Sequence, residues 1–146
     1  MRIVELRAHH LLCILGFKGL GYSKDFIKNM EKVISDINSG SYSIKIITGC
    51  DVICSVCPFR KNNKCYKEKD SERRVKKRDL EVMKRLKVKI GDEFPPKKLW
   101  ALVAKRIVPS DIPIICKGCE WLSLGYCIEG LLKLREIFRN RRKSYV

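Results

Sequence analysis

The sequence predicts a small single domain, residues 1–146, that is mainly α-helical with a short β element and is organised around two Cys-rich metal-binding loops. Apolar residues recur at helical spacing over several long stretches, while only one short stretch alternates. Six of the eight cysteines fall into two copies of one spacing. Hydrophobic residues make up 45% of the chain, enough for a core, and the length fits one domain or two small halves sharing a core.

Residues 8–17 (Ala-His-His-Leu-Leu-Cys-Ile-Leu-Gly-Phe) read as a short buried helix, followed by a turn carrying Gly16, Gly19 and Gly21. Ser23 suits an N-cap, with Asp25 in the first turn behind it. Phe26, Ile27, Met30, Val33, Ile34 and Ile37 then hold helical spacing until residues 38–40 stop it. Residues 42–48 alternate, are β-branched and predict a strand. A first Cys loop covers 50–65. Residues 71–86 predict a second long helix, with Val75, Val82, Met83 and Leu86 inward and lysines and arginines outward. Pro95 and Pro96 suit the first turn of a helix bearing Leu99, Trp100, Leu102, Val103 and Ile107. A second Cys loop covers 114–127, and a last helix runs from about Cys127 to Arg139 into a basic tail.

Cys54, Cys57 and Cys65 are spaced C-x2-C-x7-C, and Cys116, Cys119 and Cys127 repeat that spacing. Two thiolates three residues apart close on one metal through a tight loop, and a third completes most of the shell. Since zinc and four-iron clusters usually take about four ligands, each triplet needs a partner. The candidates are Cys13, Cys50, His9 and His10. On a helix either histidine shares a face with Cys13. The working assignment gives Cys13 to the first triplet and His9, His10 or Cys50 to the second. The converse assignment of Cys13, and a single cluster drawing on both triplets, stay open.

Thiolate spacing does not choose iron over zinc. Pro58 follows Cys57 as a proline follows the last cysteine of bacterial ferredoxin runs. Val56, Phe59, Ile114, Ile115, Trp121 and Leu122 would keep water from a cluster, and serve equally as core. Asp51, Asp111 and Glu120 flank the loops, where a carboxylate orients a ligand histidine or caps a turn. The Gly16–Gly21 segment lacks a preceding strand and a following Gly-Lys-Ser/Thr, so it reads as a turn and not a phosphate loop.

Lys and Arg outnumber Asp and Glu by 32 to 16, a formal charge of +16, densest over 60–89 and 139–143. Such a surface binds nucleic acid phosphates in a salt-dependent way, or docks an acidic partner, or is merely a solvated helix face. Few aromatics interleave with it: Phe59, Tyr66 and Tyr145 are the nearest. Lys61, Lys64 and Lys117 stand beside the Cys loops, where they would offset thiolate charge. The N-terminal stretch has charges where a secretory signal needs an apolar run, and Leu11 to Phe17 is too short to span a bilayer, so a cytoplasmic location is expected. Disulfides rarely persist there, which turns paired cysteines toward metal or redox chemistry.

Leu6-Arg7-Ala8-His9-His10-Leu11-Leu12-Cys13, then Gly16-Phe17 and Gly19-Leu20-Gly21-Tyr22-Ser23, form a distinctive opening. With Asp51-Val52-Ile53-Cys54, Cys57-Pro58, Cys116-x2-Cys119-Glu120-Trp121 and Cys127, it resembles domain-of-unknown-function family 1284, small Cys-rich bacterial and archaeal proteins. The resemblance implies iron–sulfur binding, of the 4Fe–4S type with one or two clusters, held by Cys13, Cys54, Cys57, Cys65, Cys116, Cys119 and Cys127. It does not call for a cysteine at Cys50, which draws attention to His9 and His10 as further metal ligands or site groups. The expected function is therefore a cytosolic iron–sulfur protein, an electron carrier or redox accessory with a redox partner protein, and not an enzyme. The alternative is a zinc-stabilised basic module that contacts nucleic acid or an acidic protein. A third class is an enzyme whose metal keeps an open position beside His9 and His10.

Overall fold

The chain opens on a strand that helical periodicity did not reveal. In a computed structural model, described for residues 2–19, 23–58, 60–61, 64–65, 71–117, 119 and 122–144 (side chains at 56, 65, 71 and 140–144 excepted), β1 spans Arg2–Arg7. Its Val4 and Leu6 face the core, but Arg7 is buried as well, which breaks the simple alternation a strand reading relies on. β1 pairs in parallel with β2 (Tyr42–Ile47), in register from Arg2 opposite Tyr42 to Arg7 opposite Ile47. A parallel pair needs a long crossover, and α1 (His10–Gly16) with α2 (Lys24–Asn38) supplies it. A short antiparallel strand, β5 (Glu93–Phe94), closes the other edge of β2, giving the order β1-β2-β5.

The predicted α2 forms with Ser23 as its cap, whose Oγ accepts from the Phe26 N–H at 3.1 Å. Phe26, Met30, Val33 and Ile37 are its buried face, packed on the sheet with Leu6, Ile44 and Ile46. Residues 50–65 contain a 3-10 turn at Cys54–Val56 and a small hairpin of β3 (Arg60–Lys61) and β4 (Lys64–Cys65). α3 (Ser71–Leu86) buries Val75, Val82, Met83 and Leu86 as expected. It also buries Asp79, a charge on the core face. α4 (Pro96–Arg106) starts on its proline and buries Leu99 and Val103.

The stretch read as a loop before the last helix holds more helix than expected: a 3-10 turn at Pro109–Asp111, a single helical turn α5 (Ile112–Ile115), and another 3-10 turn at Leu122–Leu124. These pieces are too short to show periodicity. α6 (Tyr126–Ser144) lies against α1 and α4, burying Leu131 and Leu134. Two arginines hold helix ends. Arg135 donates to the Ala104 and Ile107 carbonyls at 3.2 and 2.7 Å, and Arg106 donates to the Leu86 carbonyl. Among the described residues, no helix is long and apolar enough to cross a membrane.

Candidate metal centre

Two glycines bring α1 against α6. A Cβ on Gly130 would meet the Leu15 carbonyl oxygen at 2.1 Å, and one on Gly16 would meet Cys127 Cα, N and Sγ at 2.8 Å. Only a residue without a side chain permits this backbone approach. Cys13 lies one turn before Gly16, on the same helix face. Cys13 and Cys127 therefore line one small pocket with Gly16, Phe17, Met30 and Tyr126. The turn after α5 brings up the other two thiols of the second triplet. The Cys116 N–H donates to the Ile112 carbonyl at 2.8 Å, and the Cys119 N–H donates to the Cys116 carbonyl at 2.8 Å.

The electrostatics record this convergence. Burial pushes the Cys13 thiol well up, and the Cys127, Cys116 and Cys119 sulfurs add to it in that order. Cys116 is pushed up to about 12 by burial and then by Cys119 and Cys127, and Cys127 to about 11 by burial and Cys119. Arg78 acts in the opposite sense on Cys13 and Cys116. Crowded, buried thiols hold their protons because their anions repel one another. A cation placed among them reverses that balance, so binding metal releases protons. Cys13, Cys116, Cys119 and Cys127 all carry unbridged thiols.

A second constellation lies at the end of β1. Asp51 is buried, and its carboxylate accepts from the Arg7 N–H at 2.8 Å, the Ile53 N–H at 2.9 Å, the Cys54 N–H at 3.1 Å and His10 Nδ1 at 2.7 Å. An ionised carboxylate only accepts, so His10 carries its proton on Nδ1. Burial opposes the charge on Asp51, but His10 and the Arg7 and Cys54 amides outweigh it and hold the carboxyl at about 2. Asp79 does the same for the neighbouring histidine. It accepts from His9 Nδ1 at 2.7 Å, from the His9 N–H at 3.0 Å and from Arg7 Nε at 3.0 Å. Burial lowers His9 to about 4, with His10 the next cause, so it is neutral near pH 7. Ligand atoms of His10, Asp51 and Cys54 all lie within 4.8 Å of one another, a group able to hold a metal ion. Among the described residues, the four thiols around Cys13 do not form a group that tight.

A family model described as "Protein of unknown function (DUF1284)" matches residues 21–125, well over half of the chain. The chain belongs to this family. No curated protein and no solved structure gives a match. The matched DUF1284 segment runs from after Cys13 to before Cys127, so two of the converging thiols flank it.

In this DUF1284 chain the structure groups Cys13 with the second triplet and His10 with Cys54. Cys57 is half-buried beside the Cys54 turn, while the Cys65 side chain lies outside the described residues. His9 faces Asp79 rather than a thiol. Cys50 and Cys54 act on each other electrostatically. Asp51 serves both roles considered for it, bridging the turn amides and orienting a histidine. Asp111 accepts from the Val108 N–H at 2.9 Å and pairs with Arg85 at 3.2 Å, which is a capping role. Ile115 is buried as expected, but Ile114 is 61% exposed and shields nothing. Lys61, Lys64 and Lys117 are exposed. Leu20, Gly21, Tyr22, Phe59, Tyr66, Glu120, Trp121 and Tyr145, with the Val56 side chain, lie outside the described residues. Sequence reasoning missed Arg7 and Asp79. The available signal was an aspartate four residues after Val75 and three before Val82, on the inward stripe of α3.

Proposed function

We propose that the protein carries a 4Fe–4S cluster on Cys13, Cys116, Cys119 and Cys127 and works in the cytosol as an electron carrier or redox accessory factor. The observation that carries this reading is the convergence of four thiols, Cys116 buried and Cys13, Cys119 and Cys127 partly so, from α1, the turn after α5 and the start of α6. Four thiolates are the usual shell of such a cluster. Their spread supports a cluster over one zinc ion. Zinc–sulfur bonds of about 2.3 Å set tetrahedral sulfurs roughly 3.8 Å apart. A four-iron core lies between its ligands and separates them to roughly 6 Å. Thiols that interact mutually yet do not group within 4.8 Å suit the larger object.

A bound cluster would supply one-electron exchange. The chain's own residues set the conditions for it. Phe17 and Met30 keep the pocket apolar, and Arg78 favours ionised sulfur at Cys13 and Cys116. Arg78 Nη2 also donates to the Lys117 carbonyl at 3.2 Å, which holds the turn between Cys116 and Cys119. The exposed lysines and arginines of α3 and Lys117 form a rim suited to an acidic redox partner.

Anaerobic purification tests this proposal. Brown protein with broad visible absorption and matched iron and sulfide is expected, and Cys116→Ser or Cys119→Ser should lose all three. Colourless, folded protein with zinc in stoichiometric amount would overturn the reading in favour of a zinc-stabilised module.

A further inference from the structure

We infer that His10 and Cys54 are the core of a second, separate site for a single borderline divalent cation such as Zn²⁺, with Asp51 orienting His10 from behind rather than binding the ion. This site does not depend on iron being present at the four-thiol centre.

The spacing distinguishes the two places. His10, Asp51 and Cys54 present ligand atoms all within 4.8 Å. A single ion with bonds of about 2.0–2.3 Å gathers its donors within roughly 4 Å of each other, so small shifts close the set. Asp51 is not the natural third ligand. Its two oxygens already accept from four donors, about as many as a carboxylate has lone-pair positions. By holding the proton on His10 Nδ1 it leaves Nε2 as the coordinating nitrogen, the usual carboxylate–histidine–metal arrangement. The Cys54-x2-Cys57 spacing lets Cys57 join them, and solvent can fill the remaining positions of the shell.

Charge selects a cation over an anion here. Asp79 and Glu72 pair with the Arg7 guanidinium while Asp51 accepts from the Arg7 backbone N–H, so three carboxylates face one cationic side chain and the group is net negative before any thiol ionises. Arg7 is 1% exposed, and its Nη2, 3.7 Å from Glu72 Oε1, makes no hydrogen bond. Arg7 acts electrostatically on both Cys54 and Cys50. An ionised, metal-bound sulfur gives that N–H a charge-assisted acceptor. A ligand set mixing imidazole and thiolate suits Zn²⁺ better than Mg²⁺ or Ca²⁺.

The test uses the full-length chain under anaerobic conditions, with Co²⁺ as a visible probe for a zinc site. Wild type should take up one equivalent, showing tetrahedral ligand-field bands and sulfur-to-cobalt charge transfer, and Zn²⁺ should displace it. His10→Gln and Cys54→Ser should weaken that uptake at least 10-fold with iron, sulfide and helical circular dichroism unchanged. Asp51→Asn should weaken it roughly 10–100-fold, the usual cost of losing an outer-shell partner. X-ray absorption on zinc-loaded wild type, which needs no variant to fold, should give a mixed nitrogen and sulfur shell. An all-sulfur shell, no cobalt uptake, or unchanged affinity in His10→Gln would each overturn the inference. Iron-free protein that binds Co²⁺ through His10 would remove the cluster and leave this site standing.

Discussion

Replacing Gly130 by alanine separates packing from helix preference. In an isolated helix the change is favourable by about 1 kcal/mol. In this fold the new Cβ would stand 2.1 Å from the Leu15 carbonyl oxygen and 2.5 Å from its carbon. Both are backbone atoms, so neither can swing away. Restoring ordinary contact requires α1 and α6 to part by about 1 Å, since carbon atoms pack at roughly 3.5–4 Å. Overpacking of this kind costs roughly 1–3 kcal/mol, and a clash with backbone belongs at the upper end. The net expectation is a loss of about 2 kcal/mol, which for a chain of this size lowers Tm by roughly 5–8 °C. The same displacement draws Cys13 away from Cys127, so metal content should fall with stability. Gly16→Ala should do likewise, because its Cβ would sit 2.8 Å from Cys127 Sγ, N and Cα. Thermal unfolding by circular dichroism, with iron analysis of the same samples, checks both effects. A Gly130→Ala protein that melts at or above wild type with full metal content would refute the close-approach reasoning.

Acid should destabilise the protein earlier than carboxylates alone would. His9 falls from 6.5 to about 4 on folding, so the unfolded state binds its proton first. Stability from this group is whole above pH 6.5 and is lost as pH falls toward 4, about 3 kcal/mol in all. Asp51, lowered from 3.8 to about 2, adds a further loss between those values. Urea unfolding at pH 7 and pH 4.5 should show the first loss, and His9→Gln should flatten it; a wild-type stability constant over that interval would contradict the assignment. Asp79→Asn should destabilise by about 3–5 kcal/mol, because it strands the buried Arg7 charge. Arg7→Met with Asp79→Leu should recover most of that, and a double variant as weak as the single one would count against the pairing. Ser23→Ala should cost about 1 kcal/mol through the α2 cap; no change in the denaturant midpoint would contradict the cap's contribution.

The long helices were legible because each carries one apolar stripe and a punctuating residue at its start: Ser23 before α2, Pro96 at the head of α4. β1 was not, because adjacent Ile3 and Val4 blur the period of two, and Arg7, on the face that alternation leaves to solvent, is buried against Asp79, a partner 72 positions away. α5 was not, because one helical turn has no period to read. For the site, the spacing of Cys116, Cys119 and Cys127 was readable, whereas the approach of Cys13 to them was not. That partnership is fixed by the approach of α1 to α6 across Gly16 and Gly130, a long-range contact with no local signature. The carboxylate behind a histidine was anticipated for Asp51, since it sits beside the loop, but not for Asp79, which arrives from α3.

Iron and acid-labile sulfide per chain in Cys13→Ser, purified anaerobically beside Cys50→Ser, test most directly whether α1 supplies the fourth thiolate to the second triplet. Loss of iron, sulfide and colour from Cys13→Ser, with all three kept in Cys50→Ser, is the predicted result. A Cys13→Ser protein that retains wild-type iron, sulfide and spectrum would contradict it.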